Sequence, residues 1–263
     1  MSLLSYNRYQ REIVRQSGLL SSVIASADLA LPVPSCPGWD VAQLVRHLGG
    51  AHRWATAIVA ARATGPVKSG FGGFPPDDAG DDPAALGSWL AKGAGQLAET
   101  LREAGPDTSV WTPVPGGSTN FYARRFTHET LIHRADATLA LGADFTADTD
   151  VALDAIDEWM ELGSLPMHFE VDPSMLELLG PGRTLHFHAT DTAPEASAEW
   201  VVDLTGGAIG WRRAHEKAAV AVRAPLTDLL LIIYKRCPAR RAGIEILGDG
   251  QLLDFWLDRV SFG

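Results

Sequence analysis

Glu129 and His133 stand four residues apart in Phe126-Thr127-His128-Glu129-Thr130-Leu131-Ile132-His133-Arg134-Ala135-Asp136. On an α-helix that spacing stacks a carboxylate and an imidazole on one face, a pair that suits a divalent metal ion. A third ligand has to come from elsewhere, and the best candidate is His47 in Val41-Ala42-Gln43-Leu44-Val45-Arg46-His47-Leu48. Two histidines and one glutamate with the fourth position open form a recurring catalytic zinc arrangement, because the vacant position takes water or substrate. The metal would act as a Lewis acid, lowering the pKa of a bound water or thiol. A plainer alternative has Glu129 pairing with Arg125, also four residues away, as an ordinary helical ion pair. His128 lies about 100° around the helix from Glu129, and His52 about 140° from His47. Both are therefore expected to be structural or solvent-facing.

Four long amphipathic segments must position these residues. The first runs from about Tyr6 to Asp28 with Ile13, Val14, Leu19, Leu20, Val23 and Ile24 as its apolar positions. Leu31-Pro32-Val33-Pro34-Ser35-Cys36-Pro37-Gly38 breaks it, and Asp40 is a good N-cap for a second helix, Val41 to about Ala63, with Trp39 as a hydrophobic staple. Residues Thr64 to Pro83, rich in Gly, Pro and Asp, form a long loop of the kind that covers a site or stays disordered. A third helix is expected from Pro83 to Ala104. A fourth, capped by Ser118 or Thr119 and running to about Leu141, carries Glu129 and His133. A shorter fifth spans about Asp150 to Leu162, and Gly163-Ser164-Leu165-Pro166 marks a boundary. Residues 1–163 thus form a helical bundle, an architecture that places metal sites among inward side chains.

Residues 164–263 change texture. Thr184–Thr190, Glu199–Leu204 and Ala218–Arg223 alternate like strands, a helix from Pro225 to Arg236 follows, Gly243–Gly248 is extended, and Leu252 to Val260 is a last helix. The fold class is α+β overall, a helical bundle followed by a smaller α+β domain.

Composition narrows the partners. The formal net charge of -10, from 22 Lys+Arg against 32 Asp+Glu, comes without a basic run, which argues against nucleic acid. No apolar stretch approaches the ~20 residues of a membrane span, and the N-terminus lacks a signal-peptide pattern. Two cysteines, Cys36 and Cys237, fit a reducing cytoplasm, and no membrane association is expected.

Pro37-Gly38-Trp39-Asp40 with Leu44-Val45-Arg46-His47-Leu48, and the stretch Arg125 to Asp136, resemble the two signature stretches of the mycothiol-dependent maleylpyruvate isomerase family, part of the DinB-like superfamily of metal-binding four-helix bundles. Leu185 to Asp191, Tyr234-Lys235-Arg236 and Gly248-Asp249-Gly250 are similar to that family's C-terminal domain, so the resemblance covers nearly the whole chain. It implies Zn2+ or another divalent metal held by His47, Glu129 and His133, and a low-molecular-weight thiol, mycothiol, bound as thiolate. In the family's isomerase the thiolate adds to a cis double bond conjugated with a carbonyl, rotation follows, and elimination gives the trans product. In relatives the thiol adduct is itself the product. The family often carries Trp where this chain has Ala135, a change that alters a pocket wall and leaves the small electrophilic substrate open. The resemblance also implies that Arg236 serves catalysis by holding a substrate or cofactor carboxylate from the second domain, whereas at a helix end it would equally serve the dipole.

Asp136, three residues after His133, can orient that imidazole or pair with Arg134. His186 and His188 alternate on one strand face, read as a polar sheet face. Cys36 is read as an inert thiol, and Trp39, Trp54, Phe121 and Phe126 as core. The expected function is a zinc- and mycothiol-dependent isomerase or thiol transferase, monomeric or homodimeric. Its rivals are a zinc hydrolase using metal-bound water and a non-catalytic metal-binding or stress protein.

Overall fold

A computed structural model of the protein describes residues 4–67, 82–114 and 116–260. The chain forms two compact units, Met1–Phe145 and Thr146–Gly263. Most of the loop expected over Thr64–Pro83 falls on 68–81, outside the described residues.

The first unit is a four-helix bundle of α1 (Tyr6–Ile24), α2 (Val41–Ala61), α3 (Pro83–Ala104) and α4 (Thr119–Ala140). Helices α1 and α2 each pack against both α3 and α4. Leu20, Ile24, Val41, Leu44, Val45, Leu48, Leu86 and Leu90 meet in its core. Helix α2 starts where expected, in a capping box: Gln43 N donates to the Asp40 side chain at 2.7 Å, and Asp40 N donates to Gln43 Oε1 at 2.9 Å. It ends at Arg62, which turns left-handed at φ 46°. Close approach of α2 and α3 depends on Gly49, where a Cβ would fall 2.0 Å from the Trp89 ring. Helix α4 is buried nearly all round from Tyr122 to Thr138, and that burial includes His128, His133, Arg134 and Asp136. A helix of this kind keeps polar groups inside only by pairing them, and Arg134 accordingly donates to Gln16 Oε1 on α1 at 2.7 Å.

Between α1 and α2 the chain folds into a tight loop. Val33 N donates to Trp39 O at 2.9 Å, Cys36 N to Val33 O at 3.0 Å and Val41 N to Leu31 O at 3.1 Å. Gly38 supplies the left-handed turn at φ 86°.

The second unit begins with α5 (Thr149–Gly163) and the short α6 (Met167–Val171). A five-stranded sheet follows, built of β1 (Thr184–Ala189), β2 (Glu199–Asp203), β3 (Gly210–Arg213), β4 (Val220–Ala224) and β5 (Glu245–Gly248) in the order β3-β2-β1-β4-β5. Strands β1 and β4 are parallel and the other pairs antiparallel. Helix α7 (Leu226–Ile233) packs on β1, β4 and α5, and α8 (Gly250–Arg259) closes the unit.

Two expectations are corrected here. The boundary expected after residue 163 falls after Phe145, because α5 turns its apolar side to the second unit. There its buried Asp157 accepts from Trp200 Nε1 at 2.8 Å and from two Arg213 nitrogens at 2.9 and 3.1 Å. Helix α7 stops at Ile233 rather than Arg236, since Lys235 adopts φ 61°, and Arg236 therefore lies beyond the helix. Among the described residues no helix is long and apolar enough to cross a membrane.

Candidate metal centre

The packing of α2 on α4 brings the three expected ligands together. Glu129 Oε1 lies 3.1 Å from His133 Nε2 and 3.7 Å from His47 Nε2, and the donor atoms of all three residues lie within 4.8 Å of one another. The two imidazoles meet edge to face with centroids 5.2 Å apart. Side-chain exposures of 23% for His47, 29% for Glu129 and 10% for His133 leave the point of convergence reachable from solvent.

Each ligand is held from behind. His133 Nδ1 lies 2.9 Å from Asp136 Oδ2, so Asp136 accepts the Nδ1 proton and leaves Nε2 directed at Glu129. Asp136 is fully buried and is fixed in turn by the α1–α2 loop: Ser35 Oγ donates to its Oδ1 at 2.6 Å, and the Cys36 thiol reaches its Oδ2 at 3.6 Å. The same loop lays the Trp39 ring over His47, centroids 4.7 Å apart. The expected pair of Arg125 and Glu129 also forms, at 3.5 Å through Glu129 Oε2, which leaves Oε1 to the histidines. The ion pair and the metal-site geometry therefore coexist. Ser35 and Cys36 escape a reading of spacing because they reach Asp136 across about a hundred residues of chain. Only the Pro-Gly turn beside them hints at a built loop.

Burial works to raise the Glu129 pKa, but the His133 charge, the hydrogen-bonding histidines and Arg125 outweigh it and hold the carboxyl well below its usual range. Burial likewise disfavours the His133 imidazolium, yet Glu129, Asp136 and Cys36 together hold its pKa well above the ordinary histidine value. The two groups form an ion pair with a proton between Nε2 and Oε1. A divalent cation would fit the place of that proton, since both flanking atoms are metal donors and His47 would supply a second imidazole.

His52 and His128 are fully buried and stand apart from this set. His52 Nε2 donates to Thr130 Oγ1 at 2.9 Å, and burial, then the Arg53 charge, push its pKa down to about 3. Trp54 and Phe121 are only half-buried, and Phe126 is buried. In the second unit Arg236 turns back on its own chain, donating to Tyr234 O at 2.7 Å. His186 and His188 share one face of β1, as their alternation predicts, with Glu199 Oε2 between them at 2.8 and 3.0 Å.

Family models match both units: the mycothiol maleylpyruvate isomerase N-terminal domain over residues 11–138 and the MDMPI C-terminal domain over 150–255. The gap between them brackets the division after Phe145. Among solved structures, the chain is similar to a crystal structure of the mycothiol-dependent maleylpyruvate isomerase, with 14% identity, a TM-score of 0.56 and coverage of 94% of this chain and 95% of that one. A structure of a mutant of that enzyme with one histidine replaced by alanine matches equally, with the same identity, coverage and TM-score. No curated protein sequence matches the chain. At this identity the structural likeness speaks for the fold, and the two family models speak for the family.

Proposed function

The chain belongs to the mycothiol maleylpyruvate isomerase family, and from that premise we propose that it is a metal- and mycothiol-dependent isomerase or thiol transferase acting on a small electrophile. The observation that carries this reading is the convergence of His47 Nε2, His133 Nε2 and Glu129 Oε1, with His133 Nδ1 already committed to Asp136. When bound there, Zn2+ or a similar divalent ion supplies the Lewis acidity that keeps a thiol in its nucleophilic thiolate form near neutral pH.

The chain's own residues prepare that chemistry. His47, Glu129 and His133 would hold the cation with three donor atoms. Asp136 fixes the His133 tautomer and raises its basicity as a ligand. Arg125 holds one Glu129 oxygen, which leaves the other available to serve as a ligand. Trp39 keeps the His47 ring from rotating away. Arg236, whose guanidinium fork suits a carboxylate, is proposed to bind that group on the substrate or the thiol cofactor. Replacing it with lysine is expected to raise KM while metal content stays unchanged.

A hydrolytic alternative needs a base beside metal-bound water. Asp136 is occupied by His133 and Ser35, which weighs against that role. The test is turnover of a cis-enone acid such as maleylpyruvate, with and without mycothiol, beside metal analysis of His47→Ala and Glu129→Ala. Turnover that needs both thiol and metal supports the proposal. Turnover of an ester or amide without thiol, or unchanged metal content in both variants, contradicts it.

A further inference from the structure

The second unit carries three imidazoles and a carboxylate that the proposed reaction does not use. His186 and His188 leave the same face of β1, being two residues apart. Glu199 opens β2 directly opposite His188 in the antiparallel register and projects to that same face. His215 comes from the connection between β3 and β4. All converge on one atom: Glu199 Oε2 lies 2.8 Å from His186 Nε2, 3.0 Å from His188 Nδ1 and 2.6 Å from His215 Nδ1. The three rings meet edge to face, with centroid separations of 5.9, 5.7 and 5.9 Å, an almost regular triangle around the carboxylate oxygen.

Hydrogen bonding alone accounts poorly for this arrangement. One carboxylate oxygen offers two lone pairs, and here three ring nitrogens crowd upon it. Three imidazolium ions so close would repel one another, and three neutral rings avoid turning lone pairs to the carboxylate only if each takes the tautomer whose single N–H faces Glu199, which still sets three donors against two lone pairs of one oxygen. A cation in the middle removes the conflict, because every one of the four atoms is then a ligand.

We propose that His186, His188, His215 and Glu199 bind a divalent transition metal, zinc above all, at a site separate from the one in the bundle. Nitrogen and carboxylate donors suit zinc, and four protein ligands close its tetrahedral shell, the mark of a structural site. With bonds of ~2.1 Å, tetrahedral ligand atoms stand about 3.4 Å apart, so the separations of 2.6 to 3.0 Å between the glutamate oxygen and the ring nitrogens must widen by about 0.4 to 0.8 Å to admit the ion. Entry is open: the histidines line a cavity of about 560 Å3 together with Ala221, whose small side chain leaves space beside His186. Lys217 and Arg223 stand at its rim, Arg223 with its charge paired to Glu245 at 2.9 Å. The metal ties the β3–β4 connection, through the otherwise 78% exposed His215, to the centre of the sheet.

The test uses the full chain, stripped of metal, reloaded with zinc and freed of excess by gel filtration. A His47→Ala/Glu129→Ala protein is expected to retain one zinc per chain, and adding His215→Ala or His188→Ala to weaken that zinc at least tenfold. Because His215 is exposed, its replacement leaves folding intact, which circular dichroism verifies. Zinc should raise the Tm of the His47→Ala/Glu129→Ala protein and do so less once His215 is gone. Absence of zinc from the His47→Ala/Glu129→Ala protein overturns the proposal, as does zinc whose affinity is indifferent to both His188 and His215. The two sites fail independently: one zinc in the wild type that is lost with His188 and kept without Glu129 upholds the sheet site and rejects the bundle site.

Discussion

The bundle and the sheet each gather histidines around one glutamate oxygen, but they surround that oxygen differently. In the bundle there are three donors, and Asp136, Arg125, Ser35 and Trp39 hold them from behind. In the sheet there are four, and the last arrives on an exposed connection. An incomplete set with a rigid outer layer would leave a bound metal a position for a reacting ligand, whereas a complete set would use a bound metal to hold the chain together. Under the two proposals above, the contrast would assign chemistry to the bundle and stabilisation to the sheet.

Removing a ligand from each region should separate them most sharply. Glu129→Ala is expected to lower turnover by roughly three orders of magnitude or more, since loss of an outer partner alone costs about 10–100-fold. Equal loss of turnover in His188→Ala, with the fold intact, would erase the contrast. Asp136→Asn tests the outer layer, which the sheet site does not share. It should lower bundle-site metal affinity or activity by about 10–100-fold, measured by zinc competition and initial rates.

Acid should also single out the buried His52 of the bundle. His52 is fully buried with its pKa pushed down to about 3, below the value of an unfolded chain. The unfolded state therefore takes up the proton first. The stability this residue contributes is complete above about pH 6.5 and declines, by about 1.4 kcal/mol per pH unit, as pH falls toward 3. Denaturant unfolding at pH 7 and pH 5 should show a smaller difference for His52→Gln than for the wild type. The smallest effect belongs to His215→Ala, expected to cost only the zinc-dependent part of the Tm.

Sequence pattern carried the helices of the bundle well, because Asp40, Pro83 and Ser118 announce their starts by cap chemistry. Glu129 and His133 are legible as a pair because both lie on one helix, where spacing is geometry. His47 is legible only as a candidate third ligand on a neighbouring capped helix, since its arrival depends on how α2 packs against α4, and the family resemblance adds the weight that spacing lacks. The α5 boundary misleads for a related reason: an amphipathic helix states that it has an apolar face and not which unit covers it. Strand β3, Gly-Trp-Arg-Arg, escapes because it lacks β-branched residues and borrows its order from β2. His215 carries no signal at all, lying outside any strand and meeting His186 only through the sheet's register.

The most direct test of the bundle as the working centre is a calorimetric titration of mycothiol into the zinc-loaded protein, with Glu129→Ala titrated alongside. Saturable binding with release of the thiol proton in the wild type, absent from Glu129→Ala, is the predicted result. No binding to the zinc-loaded wild type, or equal binding by the variant, would contradict it.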